Sequence, residues 1–432
     1  MFKYLAQIWN SKDLRKKILF TLGIIFIYRL LAHVTVPGAN SEALIATANQ
    51  SQLLQIFSLL TGGSTENFSI VLMGISPYIN ASIIIQLLTV IVPKLESLSK
   101  EGDQGRQKLN SYTRWLTLPL AFLQSYGMIL LLNSQSQIPI VENIGDPTVI
   151  LPIMLTITAG TLLLVWLGEQ ISEKGIGNGV SLLIFASIIS SIPQIVGQTL
   201  FLVNQDDSKM IPFVIVTILT IVLITIVVLI NEGHRRVPIT YAGRGIRSKN
   251  DQSFLPIRIN QAGMIPIIFA AALVNFPGII AQFLQNASSA WLRDLAIKMT
   301  GLFQPNTTFY LVTYFLLIIA FTFFYVSITF QPEEVADNIQ KRGGYVPGIR
   351  PGKQTSEYLH EISTRLTLFG ALFMGFIAVL PLMLQFFFTV SAVGAVPLLI
   401  SGAGIIIIVG VVIDLIHQVN AQLVMHDYNK FY

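Results

Sequence analysis

Ten long apolar segments separated by polar stretches dominate the pattern of this chain. Their apolar character is continuous, without the alternation of a half-buried strand. Each is about 20 residues long, the length at which a helix spans the hydrocarbon core of a membrane. The pattern therefore predicts membrane-spanning helices at 17–36, 71–92, 113–133, 148–168, 180–201, 211–231, 263–284, 309–330, 366–388 and 394–416.

The second predicted span differs from the others because polar and helix-breaking residues interrupt it. It contains the sequence GISPYINASIIIQLL at 74–88. Buried polar groups cost free energy unless they find partners, and Pro77 removes a backbone donor. This segment should therefore face protein or a water-filled path rather than lipid. Its isoleucines are candidates for the lining of that path.

The same pattern indicates an internal symmetry. The second span opens with Gly74-Ile-Ser-Pro77 and the seventh with Gly263-Met-Ile-Pro266. Each is the second of five spans, and an odd number of spans gives the two groups opposite orientations. Inverted repeats with broken helices at matching positions point to a site between the repeats. We therefore predict an N-terminal half at 1–202 and a C-terminal half at 203–432.

Two shorter apolar regions need separate interpretations. The segment LLQIFSLL at 53–60 is too short to span a membrane, and TGGS follows it, so it is predicted to be re-entrant or interfacial. The basic N-terminus followed by an apolar run imitates a signal peptide. That run is too long for one and contains Arg29, so we interpret it as a retained first membrane helix.

Composition supports a membrane protein and argues against an enzyme. The chain is 53% hydrophobic and 11% charged, whereas soluble domains carry about 25% charged residues. It has no cysteine, which excludes disulfides and thiolate chemistry, and its five histidines lack the spacing of metal ligands. The loop at 348–354 resembles a phosphate-binding loop, but Pro347 and Gln354 replace its required glycine and hydroxyl residue. We therefore expect no catalytic centre, no metal and no cofactor.

The distribution of positive charge predicts the orientation. Of the 27 Lys and Arg residues, Lys209, Arg293 and Lys298 fall on one side of the predicted membrane, Arg29 lies within the first span, and all others fall on the opposite side. Because basic loops stay in the cytoplasm, both termini should be cytoplasmic.

Much of the basic charge lies in two long loops on the predicted cytoplasmic side, at 232–260 and 331–365. The first contains strand-like sequence at 237–243 and 254–259, which predicts a projecting hairpin. The second contains GGYVPGIRPGK at 343–353, which predicts a rigid loop patterned by glycine and proline.

Six long motifs carry a resemblance to a known family. They lie at 66–88, 100–114, 166–185, 255–270, 336–355 and 421–428, and they include WLGEQISEKGIGNGVSLLIF and ADNIQKRGGYVPGIRPGKQT. In these motifs, and over essentially its whole length, the chain resembles the SecY/Sec61-alpha family of protein-conducting channels.

The resemblance implies an all-α membrane fold of ten helices, in two inverted pseudosymmetric five-helix halves around a central pore. The halves would hinge between the fifth and sixth spans, and a lateral gate would open between the second and seventh. A re-entrant plug would occupy about 53–68, carried by Leu53, Leu54, Ile56, Phe57, Leu60, Gly62 and Gly63. An apolar ring would seal the pore with Ile79, Ile83, Val180, Ile184, Ile265, Ile268 and Ile407. The gate candidates are Pro77, Asn80, Gln86, Gln124 and Asn275.

The resemblance also implies a function and partners. The chain would conduct unfolded preproteins across the bacterial cytoplasmic membrane and release membrane helices sideways into lipid. It would assemble with SecE and with SecG, receive signal peptides and preproteins, and be driven by the SecA motor or the ribosome. The basic loops would bind SecA or the ribosome through Arg350, Arg235, Arg236, Arg244, Arg247 and Lys249.

Two other classes of protein are weaker alternatives. A secondary transporter would explain the inverted halves, but it usually needs acidic or histidine groups near the middle of the membrane, and such groups are scarce here. An intramembrane enzyme would explain neither the large basic loops nor the broken second span.

Overall fold

The computed structural model describes residues 9, 11–38, 68–135, 139–141, 145–205, 210–241, 253–285, 289–304, 307–390 and 401–429. The seven residues named for the plug lie outside this part of the chain. Arg244, Arg247 and Lys249 at the predicted hairpin tip also lie outside it. What the structure says about the candidate site therefore concerns the other residues.

The described residues form thirteen long or medium helices and three strands. The helices before the sheet are α1 Lys12–Leu31, α2 Ser76–Ile91, α3 Pro93–Lys100, α4 Asp103–Gln135, α5 Pro147–Lys174, α6 Gly179–Gln205 and α7 Met210–Glu232. The strands β1 His234–Tyr241 and β2 Ser253–Arg258 follow. The remaining elements are α8 Ile265–Gln285, α9 Ala290–Leu302, α10 Thr308–Thr329, α11 Pro332–Lys341, β3 Gly344–Tyr345, α12 Lys353–Val390 and α13 Gly402–Asn429.

Each of the ten predicted spans overlaps one of these helices within the described residues, which confirms the predicted helical membrane architecture. The count of ten spans stays a prediction. Within the described part, seven helices are long and apolar enough to cross a membrane: α4, α5, α6, α7, α10, α12 and α13. The pair α2 and α3, bent by 102°, is an eighth candidate, and the apolar part of α8 is shorter. The chain is therefore a multi-pass membrane protein.

Several predicted helix ends were wrong. Helix α4 begins at Asp103 rather than residue 113, α12 at Lys353 rather than 366, and α13 continues to Asn429 rather than 416. Hydropathy marks only the residues that lipid would solvate. The backbone hydrogen bonds of a helix continue past that limit wherever polar side chains can project into water.

The chain divides into two compact units. The first comprises Met1–Asp207, Asn275–Thr307 and Val411–Tyr432, and the second comprises Ser208–Val274 and Thr308–Gly410. Helices α8 and α13 thus each contribute residues to both units. The two inverted halves predicted at 1–202 and 203–432 stay a prediction.

In the first unit, the chain before α2 is not helical. Val36 N–H donates to the Phe68 carbonyl at 2.9 Å, and Ile70 N–H donates to the Val34 carbonyl at 2.9 Å. A Cβ on Gly160 of α5 would lie 1.9 Å from the Ile70 carbonyl oxygen, so only glycine permits this approach. The predicted helix break near Gly74 and Pro77 therefore exists. Protein groups satisfy the backbone before it, as a membrane requires.

The two helices with matching sequences also begin in matching ways. Gly74 has a φ of 54° and Gly263 a φ of 63°, both in the left-handed region. Each helix then begins two residues later, at Ser76 or Ile265, with Pro77 or Pro266 in its first turn. Proline is favourable there because the first N–H groups of a helix have no intrahelical partner. The predicted correspondence between the two helix starts is confirmed.

The second unit contains a small subdomain built from both long loops, which we call the loop subdomain (residues 234–241, 253–258 and 332–359). The predicted hairpin is confirmed, since β1 and β2 pair antiparallel with Val237 opposite Leu255. Strand β3 adds to the other edge of β1 through Thr240 and Tyr345, giving the order β2-β1-β3. Its core is a cluster of apolar side chains: Val237, Ile239, Ile257, Ala336, Ile339, Val346 and Leu359.

The segment 331–365, predicted as a long loop between two spans, contains regular secondary structure. Most of this segment is ordered as α11, β3 and the first turns of α12, and it packs against the hairpin. The pairing of β3 was missed because a two-residue strand has too little sequence to show a pattern. Its partner β1 is also about a hundred residues away in the chain.

We predict that Gly263→Ala destabilises the protein by about 1–2 kcal/mol, because an L-residue in the left-handed region pays roughly that amount. The space is not the obstacle, since a Cβ there would meet nothing within 4 Å. The measurement is thermal unfolding of the purified protein in lipid nanodiscs.

The matched control is Gly278→Ala in the same helix α8. A Cβ there would meet only the Phe303 Cβ, at 4.0 Å, and no left-handed φ is required. Alanine is favoured over glycine inside a helix by about 1 kcal/mol. Equal melting temperatures for the two variants would contradict a conformational role for Gly263.

Candidate functional site

Helix α2 carries two of the predicted ring residues on the face opposite its packing stripe. Pro77, Ala81 and Ile85 are buried and follow one another at intervals of four, so they form one stripe along the helix. At 100° per residue, Ile79 and Ile83 lie on the opposite face. Ile79 is half-buried and Ile83 is buried. This face is apolar and β-branched.

Helix α6 carries Val180 and Ile184, and glycines place its first turn. A Cβ on Gly179 would lie 1.8 Å from the Gly168 carbonyl oxygen of α5, so α5 and α6 touch through backbone. The Gly179 N–H also donates to Ser172 Oγ at 2.9 Å. Farther along, Ser187 Oγ and Tyr28 Oη of α1 share a hydrogen bond of 2.5 Å. The first turn of α6, which carries Val180, is therefore held against α5 by close backbone contact at Gly179.

Helix α8 repeats the arrangement of α2. Its stripe of Ile267, Ala270 and Val274 is fully buried. The ring candidates Ile265 and Ile268 lie on the other side of the helix and are half-buried. They share a face because residues three apart are neighbours on a helix.

The ring position on α13 remains a prediction at Ile407. Ile405, Ile406 and Ile407 are all buried, so burial does not distinguish among them. The helix start is well defined, because Ser401 Oγ accepts a hydrogen bond from the Gly404 N–H at 3.0 Å.

The gate candidates differ in their surroundings. Asn80, Gln86 and Asn275 are half-buried, and Gln86 Nε2 donates to Ser82 Oγ at 3.3 Å. The Nε2 atom of Gln124 on α4 is buried and has no hydrogen-bond partner within the described residues. A buried amide without a partner costs about 1–3 kcal/mol. Helix α4, which packs against α2, therefore carries a group that a rearrangement could satisfy.

The outer face of the loop subdomain is cationic and aromatic. Residues directly opposite in an antiparallel pair point to the same side, which places Arg236, Pro238 and Phe254 on this face. The guanidinium carbon of Arg236 lies 5.0 Å from the centre of the Phe254 ring, a cation–π contact. Phe254 is 50% exposed and Tyr345 of β3 is 40% exposed. Arg235, at the start of β1, is also exposed.

Arg350 is exposed on a loop whose backbone is held in place. Gly348 and Gly352 on either side adopt φ values of 82° and 94°. The Arg350 carbonyl accepts a hydrogen bond of 2.9 Å from Thr355 Oγ1, and Thr355 is 2% exposed. No ion pair engages the Arg350 side chain within the described residues. The rigidity of this loop stays a prediction, supported by the Thr355 hydrogen bond, and the loop presents a cation without an ion pair among the described residues.

Sequence reasoning missed two features. The first is the aromatic part of the outer face. The alternation in HRRVPITY and SFLPIR could have indicated Phe254, whereas nothing local indicates Tyr345. The second feature is an ion pair between Arg114 Nε of α4 and Glu169 Oε1 of α5, at 2.6 Å. In the part of the chain that the structure describes, no three His, Cys, Asp or Glu side chains come together to hold a metal.

Comparison with known proteins gives consistent results. The SecY family model matches residues 69–416. The protein translocase subunit SecY of Aquifex aeolicus is 38% identical over 440 residues, which cover 100% of this chain and 99% of that protein. The corresponding subunit of Streptomyces scabiei is 40% identical over 449 residues, covering 100% of both chains.

The fold agrees with solved channel structures. Sec61 in the canine ribosome–channel complex from the endoplasmic reticulum aligns with a TM-score of 0.63 and 19% identity, over 94% of this chain and 92% of that chain. Full-length similarity to the curated relatives, together with the family match over most of the chain, shows the relationship. The chain therefore belongs to the SecY family.

Proposed function

We propose that this chain is the pore-forming subunit of a protein translocase. It conducts unfolded preproteins across the bacterial cytoplasmic membrane and releases membrane-protein helices sideways into lipid. The observation that carries the proposal is the apolar, β-branched face on α2 and on α8, opposite each helix's own packing stripe. Both helices begin two residues after a left-handed glycine and carry a proline in their first turn, in a chain that aligns with 99% of a SecY relative.

The seal is the apolar ring formed by Ile79, Ile83, Val180, Ile184, Ile265, Ile268 and Ile407. A narrow apolar constriction resists filling with water and ions, so it gates by dewetting. Such a ring also fits around a polypeptide of any sequence, because it makes no demand for specific hydrogen bonds. The plug at about 53–68 closes the same path from the outside.

The lateral gate uses polar groups that can exchange partners. Asn80 and Gln86 on α2, Gln124 on α4 and Asn275 on α8 are its candidates, with Pro77 at the start of α2. The buried Gln124 Nε2 atom supports this role, because it lacks a partner within the described residues of the present state. A second state that pairs this amide would be favoured by the same free energy that its burial now costs.

The orientation follows from the basic loops. We propose that both termini and the loop subdomain are cytoplasmic, because the Lys and Arg residues concentrate on that side. The partners within the membrane are SecE and SecG, and lipid receives the helices released through the gate. Signal peptides and preproteins are the substrates.

The driving force comes from a partner docked on the loop subdomain, either the SecA motor or the ribosome. The solved complex of canine Sec61 with a ribosome supports the ribosome as a partner. The outer face of Arg236, Phe254 and Tyr345, together with Arg235 and the rigidly held Arg350, offers cationic and aromatic groups. Arginines of this kind contact ribosomal phosphates without reading sequence. The channel itself is a passive pore.

Reconstitution tests the proposed function directly. In vesicles that contain this chain and SecE, addition of SecA and ATP should drive a signal-bearing preprotein to the protease-protected lumen. Vesicles without ATP are the control. Uptake of a small solute with no protection of preprotein would instead support a secondary transporter and overturn the proposal.

We predict that the triple substitution of Ile83, Ile184 and Ile268 by glycine raises ion leak through the resting channel, because a wider, less apolar constriction fills with water. The measurement is conductance in planar bilayers. The matched control replaces Ile84, Ile189 and Ile280 by glycine; these are exposed isoleucines of the same three helices. Both triple variants then carry the same helix-propensity cost, at most about 1 kcal/mol per substitution. Equal conductance of the two triple variants would remove these residues from the ring.

We predict that Arg350→Glu abolishes SecA-driven translocation while the channel still inserts into the membrane, because a docking cation becomes an anion on an otherwise unchanged loop. The control is Lys353→Glu, three residues away, whose side chain is 90% exposed. Preprotein protection and the amount of membrane-inserted protein are measured for both. Equal losses for both variants would show that net charge, rather than Arg350, controls docking.

A further inference from the structure

A five-residue connector (residues 259–263) joins the loop subdomain to the start of α8. It begins after Arg258, the last residue of β2, and ends at the left-handed Gly263, two residues before Ile265. Its first residue is held to the end of α7, because the Ile259 N–H donates to the Gly233 carbonyl at 2.9 Å. The connector therefore links β2 to α8 over a few residues, the first of which is hydrogen-bonded to Gly233, directly after α7.

The side chain of Asn260 anchors the centre of this connector. Asn260 is 7% exposed, and its Nδ2 donates to Asn231 Oδ1 of α7 at 2.7 Å. The same nitrogen donates to the Gly263 carbonyl at 3.3 Å, and Oδ1 accepts from the Gly263 N–H at 3.1 Å. One buried amide thus joins the end of α7 to both polar backbone groups of Gly263, the left-handed glycine two residues before α8.

Helix α12 holds the connector from another side. Ser363 Oγ donates to Gln261 Oε1 at 2.9 Å, and Ser363 is 4% exposed. A Cβ on Gly370 would lie 3.1 Å from the Ile259 carbonyl oxygen, so α12 passes close to the connector backbone. The Nε2 atom of Gln261 is buried without a hydrogen-bond partner in the described part of the chain. The oxygen of the Gln261 amide therefore has a hydrogen-bond partner, whereas its nitrogen has none among the described residues.

Gly263 itself has the freedom to act as a pivot. Its φ of 63° is accessible to glycine without steric cost, and nothing lies within 4 Å of the position of a Cβ. The segment before Gly263 is held by hydrogen bonds, and the space beside Gly263 is open. A change in the direction of the chain would therefore occur at this residue. Packed elements move between discrete arrangements rather than deforming continuously, so such a change shifts α8 as a whole.

We propose that Asn260 and Gln261 are positioning residues that transmit docking on the loop subdomain to α8. In the arrangement seen here, Asn260 holds the start of α8 against α7. A partner that presses on the β1–β2 hairpin displaces the connector, and the hydrogen bonds of Asn260 carry that displacement to Gly263. Helix α8 then turns about Gly263 while Gln261 Nε2 gains a partner. The inference rests on the proposed function, because it assigns α8 to the lateral gate and the loop subdomain to the docking partner.

The test separates docking from transmission. Asn260→Ala removes the anchor, and Asn231→Ala removes its partner on α7. With the full chain and SecE in planar bilayers, both variants should bind SecA with a dissociation constant within about twofold of the parent. The increase in conductance that SecA, ATP and preprotein cause should fall about tenfold. The double variant should lose no more than either single variant, because residues that share one interaction are not additive.

The matched control is Asn338→Ala on α11, an exposed asparagine of the same subdomain, which should leave both binding and conductance unchanged. Thermal unfolding in nanodiscs and SecA affinity identify a merely structural effect. If Asn260→Ala lowers stability, SecA affinity and conductance together, Asn260 is not a positioning residue. A partner-induced conductance equal to that of the parent would overturn the inference as well.

This experiment distinguishes a failure of the proposed channel function from a failure of the inference about the connector. If the parent channel shows no conductance with SecA, ATP and preprotein, the proposed function is wrong. If the parent conducts and Asn260→Ala conducts equally, only the inference about the connector is wrong. A selective loss of the partner-induced increase, with resting conductance and SecA affinity preserved, supports it.

Discussion

A backbone that leaves the helix inside a membrane must have its polar groups satisfied by protein, and the rest of this structure depends on how that is done. Before α2, the chain at 68–75 pairs with residues 34–36 and lies against α5 at Gly160, where no side chain would fit. Because this break is satisfied, α2 begins at Ser76 in a fixed direction. Pro77, Ala81 and Ile85 then form one stripe along the helix, and Ile79 and Ile83 lie on its opposite face.

The second break, before α8, is satisfied by a different kind of group. There a side-chain amide, Asn260, bonds both backbone groups of Gly263, beside one backbone hydrogen bond from Ile259 to Gly233. Backbone pairing between segments is hard to rearrange without moving both. A side-chain amide can exchange partners at the cost of a few hydrogen bonds, each worth about 1 kcal/mol net. The two matched helices therefore differ in how readily their starting points can move.

In the proposed function, the loop subdomain is the surface on which a docked partner applies force. Its core draws on residues from β1, β2, α11 and α12, so that two separate loops become one packed body. A packed subdomain moves as a unit when a partner displaces it, whereas two flexible loops would change their own conformation instead. Arg350 and the Arg236–Phe254 pair sit on this body with restrained geometry, and the connector 259–263 leads directly from it to α8.

The sequence by itself determined the membrane class, the approximate positions of ten apolar helices and the breaks at Gly74 and Gly263. It could do so because apolar runs, glycine and proline act through local backbone and solvation physics. It also indicated the β1–β2 hairpin and the rigid loop around Arg350. Tertiary structure alone decided the addition of β3, the fusion of two loops into one subdomain and the partners of Asn260. It also decided that Gln124 and Gln261 have buried amide nitrogens without partners among the described residues. These features depend on contacts between residues far apart in the chain, and pairing of that kind leaves no periodic trace in a sequence.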